Sequence, residues 1–182
     1  MQPQNPARTE IQVRSLLPSD NELLFQYLQG LSEESKSRFG PHPFDKETID
    51  TICDQVPADT IRRYVAVDTG RQQIIAYMLV KQGFVAEDAS RYYSKSLFFD
   101  QSTTCTFAPS VADDWQNSGL GTSMFQQILD DLKTTGIKRI VLWGGVQATN
   151  ARAVHFYQKH GFIHTGSFWH NEKDNFDMIK EI

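Results

Sequence analysis

The sequence predicts an α/β (α+β) chain organised around one strand–turn–helix unit, and three stretches carry that prediction. Thr103-Thr104-Cys105-Thr106-Phe107-Ala108-Pro109-Ser110-Val111 is rich in β-branched and aromatic residues and reads as a strand. After it, Asp113 to Thr122 holds two closely spaced glycines, Gly119 and Gly121, and from Ser123 to Lys133 the residues Phe125, Ile128, Leu129 and Leu132 recur at the spacing of an amphipathic helix. The second stretch is a hairpin: Tyr64 to Val67 and Ile74 to Val80 are apolar runs joined by Asp68-Thr69-Gly70-Arg71. The third is Ile137 to Trp143, a nearly unbroken apolar run that suits a strand covered on both faces.

The other elements follow in order. Ile11 to Leu16 alternates apolar and polar residues, the mark of a first strand. Pro18-Ser19-Asp20 starts a helix whose apolar face is Leu23, Leu24, Tyr27 and Leu28, with Gly30 as its end. Leu31 to Phe39 supports a further helical turn, and Gly40-Pro41-His42-Pro43 breaks it. Lys46 to Gln55 is helical, with Ile49, Ile52 and Cys53 on one side. Val85 to Gln101 has helical composition from Glu87 to Ser96, but its aromatic pairs suit a packed loop equally; we read it as a lid or wall beside a pocket. Gly144-Gly145 ends the buried strand. A helix from Asn150 to His160, a strand from Ile163 to Trp169, a turn over Asn171 to Asn175 and a strand from Phe176 to Ile182 complete the chain.

A glycine turn that joins a strand to a helix aims free backbone N–H groups at one point, at the positive end of the helix dipole, which suits phosphate. Gln116-x-x-Gly119-x-Gly121 at this place resembles the acyl-CoA pyrophosphate loop of the GNAT N-acetyltransferase superfamily. Downstream, Asn150-Ala151-Arg152-Ala153-Val154-His155-Phe156-Tyr157-Gln158-Lys159-His160-Gly161-Phe162 resembles that superfamily's N-x-x-A-x-x-F-Y-x-K-x-G-F segment. The element order β-α-α-β-β-β-α-β-α-β-β is similar to the GNAT fold. The resemblance implies a twisted mixed, mostly antiparallel sheet flanked by helices, in which the strand before the loop splays from the next one to admit CoA. Pro109 cannot donate a ladder hydrogen bond and reads either as a bulge or as a strand end.

The same resemblance implies an enzyme: an acyltransferase that moves an acetyl group from acetyl-CoA, its co-substrate, to a primary amine by direct transfer. The implied cofactor-binding residues are Ser110, Val111 and Ala112 on the strand, Gln116, Asn117, Ser118, Gly119, Leu120, Gly121 and Thr122 in the loop, and Asn150. Asn150 is also a good helix cap, a role compatible with binding. Tyr157 matches the family tyrosine that protonates the leaving thiolate; a core tyrosine beside Phe156 is the other reading. Lys159 reads as solvated or near the cofactor. The loop carries Asn117 and Ser118 where many relatives have Arg or Lys, so binding leans on backbone N–H groups. Thr106 stands about where many relatives have a glutamate base. That leaves the base unassigned, with Glu33, Glu34, Glu87, Asp88 and Asp100 as candidates. It also keeps open a second reading, a non-catalytic acyl-CoA-binding module.

Composition bounds the alternatives. The 182 residues are 40% hydrophobic and 22% charged, which suits one domain over residues 1–182. With a net charge of −4 there is no basic patch to suggest nucleic acid. Cys53 and Cys105 form neither a disulfide framework nor a metal spacing, and the five histidines are scattered, so no metal is expected. Met1 to Arg8 does not read as a signal peptide, and no apolar run approaches membrane length, so a cytoplasmic setting is expected. The expected partners are a small-molecule or protein amine and, as an open option, a second copy of the chain. A Rossmann reading fits poorly, because Gly119-Leu120-Gly121-Thr122-Ser123-Met124 lacks the third glycine of GxGxxG.

Overall fold

The computed structural model describes residues 10–182, so the stretch from Met1 to Arg8 lies outside the described residues. Strand β1 (Ile11–Ser15) leads through a 3-10 turn (Pro18–Asp20) into α1 (Asn21–Gly30), α2 (Glu33–Ser37) and α3 (Lys46–Gln55). The hairpin follows as β2 (Ile61–Asp68) and β3 (Gln73–Gln82), then α4 (Ala86–Ser94), β4 (Thr104–Val111) and α5 (Leu120–Leu132). The chain ends with β5 (Arg139–Leu142), β6 (Val146–Gln147), α6 (Ala151–Lys159), β7 (Ile163–His170) and β8 (Lys173–Glu181). Among these, no helix is long and apolar enough to cross a membrane.

The eight strands form one mixed sheet in the order β1-β2-β3-β4-β5-β8-β6, with β7 on the other side of β8. Every pairing is antiparallel except β4 with β5. Helices cover both faces, as the apolar run of β3 requires: Ile74 to Val80 are all buried. Along β3 the alternation sends Ala76, Met78 and Val80 to one core with Met124, Phe125, Ile128 and Tyr157, and Tyr77 and Leu79 to another with Leu24, Leu28, Ile49 and Ile52. A smaller cluster seats α4: Phe84 and Tyr92 pack against Val141 and Ile179.

The segment read as lid or wall therefore contains a helix, α4, and its amphipathic pattern explains why: Asp88 and Tyr92 are buried on one side while Glu87 and Tyr93 face out. The last turn is tighter than the sequence suggests. Asn171 (φ 50°) and Glu172 (φ 57°) alone make it, a left-handed pair that matches the twist of a hairpin, so β7 runs on to His170 and β8 starts at Lys173. The short strand β6 was not foreseen; two residues carry no periodic pattern.

Candidate active site

The site begins where the sheet comes apart. β4 pairs with β5 only over Thr104↔Arg139, Cys105↔Ile140, Thr106↔Val141 and Phe107↔Leu142, followed by the Trp143 amide donating to Phe107 O at 3.0 Å. On its other edge β4 stays paired with β3 as far as Val111. The gap thus opens because β5 stops, and its neighbours in sequence, Gly144 (φ 63°) and Gly145 (φ 71°), turn away. A bulge is not involved. The ladder runs through Met78↔Pro109 in register and on to Val111, so Pro109 is neither the bulge nor the strand end that the sequence allowed. The Ala112 amide donates to Ile75 O at 2.9 Å, so by antiparallel alternation Ser110 also points its N–H at β3, while Pro109 sits where no donor is needed. Of Ser110, Val111 and Ala112, only Val111 turns its N–H into the gap. The Ser110 hydroxyl is shared with Tyr27 Oη at 2.8 Å, and Val111 O accepts from Gln116 Nε2 at 3.1 Å.

At the outer end of the gap lies the glycine turn. Asn117 (φ 61°) and Gly119 (φ 88°) are both left-handed, a conformation that asparagine tolerates and glycine adopts freely. Among the described residues, the amides of Asn117, Ser118, Gly119, Gly121 and Thr122 have no protein acceptor; Leu120 N donates to Ser118 Oγ at 3.3 Å. Five open donors at the N-terminus of the 13-residue α5 are groups that can hold an anion, the chemistry a pyrophosphate requires. A Cβ on Gly121 would stand 3.6 Å from Phe156 Cε2 and 3.8 Å from Val111 Cγ2, in space between loop and α6 that glycine leaves empty.

Gap and loop open into one cleft of about 960 Å³, a size that suits a large ligand. Asn117, Gly119, Gly121, Thr122, Ser110, Val111, Gln116, Asn150 and Tyr157 all line it; Ser118, Leu120 and Ala112 do not. Asn150 caps α6, its side chain accepting from the Ala153 amide at 3.2 Å. Tyr157 is buried on α6 against Phe156 and Phe162, at ring separations of 5.5 and 5.2 Å, and its hydroxyl has no hydrogen-bond partner among the described residues. Burial pushes its phenol well above the ordinary tyrosine value, so it holds its proton at neutral pH. Arg152, His155 and Lys159 also line the cleft from α6, exposed and without an ion pair among the described residues. The helical spacing 152-155-159 is the sequence signal for this face, whose cations are Arg152 and Lys159.

The opposite wall is α4, with Val85, Glu87, Asp88 and Arg91, and aromatic faces come from Phe39, Trp143 and Phe168. Of the aromatics in the two flanking segments, Phe39 lines the cleft, Phe44 packs behind it, Tyr92 is core and the exposed Tyr93 stacks on Phe98. Thr106 is remote: it lies under the closed seam, and its hydroxyl donates to Gly83 O at 2.8 Å. Both cysteines are buried off the cleft, and burial pushes the Cys105 thiol up to about 12. Across the top runs α2. Asp113 accepts from Ser32 N (2.9 Å), Ser32 Oγ (2.8 Å) and Ser35 Oγ (2.6 Å) on one bank, and Gln147 Nε2 donates to Ser37 O (2.8 Å) on the other.

Comparison with known proteins bears on the family and the fold. Residues 27–162 match the model of the acetyltransferase (GNAT) family. The chain is 38% identical over 56 residues to the [ribosomal protein bS18]-alanine N-acetyltransferase of Salmonella typhimurium, a match that spans 31% of this chain and only 36% of that protein. Its fold superposes on the GNAT-family acetyltransferase of Streptococcus pneumoniae with a TM-score of 0.70 at 20% identity, over 95% of this chain and 100% of the other. Against the ribosomal-protein-S5-alanine acetyltransferase of Vibrio fischeri the TM-score is 0.72 at 14% identity, over 94% and 92%.

Proposed function

The chain belongs to the acetyltransferase (GNAT) family, and from that premise we propose that it transfers an acetyl group from acetyl-CoA to a primary amine. The observation that supports this most is the opening between β4 and β5, with the five open amide donors at one end and the Tyr157 hydroxyl along it. When bound, acetyl-CoA supplies an activated acyl group as a thioester. The open amides from Asn117 to Thr122 hold the pyrophosphate. The Val111 N–H meets an amide of the pantetheine arm, and Asn150 lies close enough to the gap to add a contact. Arg152 and Lys159 supply the positive charge that the loop itself lacks. Tyr157 Oη holds the proton destined for the leaving sulfur, and the buried walls exclude water that would hydrolyse the thioester.

The cysteines support direct transfer over a thiol-linked acyl-enzyme, since that intermediate needs an activated thiol in the cleft and both thiols are buried elsewhere. The Salmonella relative acts, by name, on an alanine of a ribosomal protein. Only the chemical class, a primary amine, is extended to this chain. The test is incubation with acetyl-CoA and a panel of amines, including peptides with free N-termini, lysine peptides and polyamines, with mass detection of N-acetyl product. Transfer to at least one is expected. Tight acetyl-CoA binding with no transfer to any amine would favour the non-catalytic module.

A paired binding measurement locates the cofactor. In the unliganded protein Gly121→Val makes ordinary contacts through its Cβ, so the variant folds, but the branched side chain fills the space between the loop and Phe156. Calorimetry should show acetyl-CoA binding weakened about tenfold or more, a loss of ~1.4 kcal/mol. Unchanged affinity would remove the glycine turn from the site.

A further inference from the structure

The strand before the glycine turn offers no base, because Thr106 is sealed under the seam with its hydroxyl committed to Gly83. We infer that Asp88 on α4 takes the proton from the acceptor's ammonium group, a role that rests on the transferase reading above. Among the described residues two carboxylates line the cleft, Glu87 and Asp88. Glu33, Glu34 and Asp100 do not, and each is exposed. Glu87 is exposed too, whereas Asp88 is 2% exposed. A base that must take a proton from an ammonium gains from burial, since a carboxylate in bulk water is too weak.

The surroundings of Asp88 suit that task. Its Oδ2 accepts from the Gly144 amide at 3.2 Å, which sets it at the point where β5 stops and the gap begins. Arg91 Nη1 stands 2.7 Å from Oδ1. That arginine is shared: its Nη2 is 3.0 Å from Asp177 on β8, which also takes Lys95 at 2.7 Å. Two carboxylates and two cations cancel, so an arriving ammonium meets no excess positive charge. Buried Tyr92 is the other titratable neighbour on α4, and the Gly144-Gly145 turn brings none. Burial, acting against Arg91 and the Gly144 N–H, holds the Asp88 carboxyl above its ordinary value.

The step balances simply. One N–H bond of the ammonium breaks, its electron pair stays on nitrogen, and the proton forms an O–H bond on Asp88. The amine is left neutral with a free lone pair, and the proton later leaves to solvent through the mouth of the cleft, one for each amide formed.

Two probe amines separate this role from a structural one. Ethylamine is almost wholly protonated at neutral pH; 2,2,2-trifluoroethylamine, of the same skeleton, is mostly neutral and needs no base. Asp88→Asn should lower kcat/KM for ethylamine by about 10²–10⁴-fold and for the fluorinated amine only a few-fold, with Asp88→Glu recovering part of the loss. Equal losses on both amines, or no loss on either, overturn the proposal. A second measurement needs only the wild-type protein: the ¹³C signal of the Asp88 carboxyl should titrate above the ordinary aspartate value of about 3.9, and titration at or below it also overturns the role. If the wild type acetylates neither probe nor any amine of the panel, the transferase reading itself falls and Asp88 falls with it, an outcome distinct from the others.

Discussion

Tyr157→Phe lowers kcat by about 10²–10⁴-fold while leaving acetyl-CoA affinity nearly unchanged, if the hydroxyl protonates the leaving sulfur. The structure makes this substitution unusually clean. The ring packs between Phe156 and Phe162, and phenylalanine keeps both contacts. The hydroxyl has no partner among the described residues, so its removal strands no buried donor or acceptor. Because burial raises the phenol's pKa, its loss cannot be mistaken for loss of a phenolate base. The measurement is single-turnover kinetics with the best amine of the panel, since slow product release hides chemistry in kcat. An unchanged single-turnover rate would assign Tyr157 to packing alone.

Phe125→Ala destabilises the protein by about 3–5 kcal/mol, the cost of emptying a large core site. Phe125 is fully buried on α5 and touches four rings: Phe107 at 5.1 Å, His160 at 5.0 Å, and Phe156 and Phe162 each at 5.8 Å. It joins β4, α5 and α6, the three elements that carry the proposed acetyl-CoA site. Thermal unfolding should show Tm lowered by roughly 6–20 °C. Acetyl-CoA affinity should fall as well, because the start of α5 is seated through Phe156 and through Thr122, which lies 3.2 Å from His160 Nε2. A Tm within about 2 °C of wild type would mean that the cavity collapses freely and that this hub is not a keystone.

Much of this was legible in the sequence because local rules and tertiary need coincide. Lys46 to Gln55 has its Asp45 cap, its apolar side and no competing signal, and it is a helix over that span. The glycine turn was legible for the same reason: a left-handed residue at a helix start is a backbone demand that few residues meet. What was not legible depends on where strands stop. Nothing in Ser110-Val111-Ala112 reveals which amides face β3; that parity is set by the partner's register, and it removed Ser110 and Ala112 as open donors. Nothing in the sequence separates Asp88 from the other candidate bases, because α4 is short and polar. Arg91 is a local i,i+3 partner of Asp88, but the Gly144 amide and, through Arg91, Asp177 lie 56 and 89 positions away, invisible to any local pattern. Lys159 reads from sequence as solvated or near the cofactor, and Arg152 carries no signal of its own, because a cation on a helix is usually solvated and only the neighbouring loop gives it a direction.

The four-pair seam between β4 and β5 has a wider meaning. It divides the sheet into an N-terminal half, β1 to β4, and a C-terminal half, β5 to β8, which the backbone ladder joins over a single short length. Beyond it, continuity passes to groups that are not strands: the aromatic packing under α5, and α2, whose Ser37 carbonyl in the first half accepts one hydrogen bond from the Gln147 side chain in the second. A ligand lying in the opening would complete the missing part of the ladder, donating and accepting where a longer β5 would have done. The co-substrate would then be a temporary structural member, consumed at one end and replaced at each turnover. At a hundred times its dissociation constant it would add about 2.7 kcal/mol to the folded state, and the empty enzyme between cycles would be the looser form of the two halves.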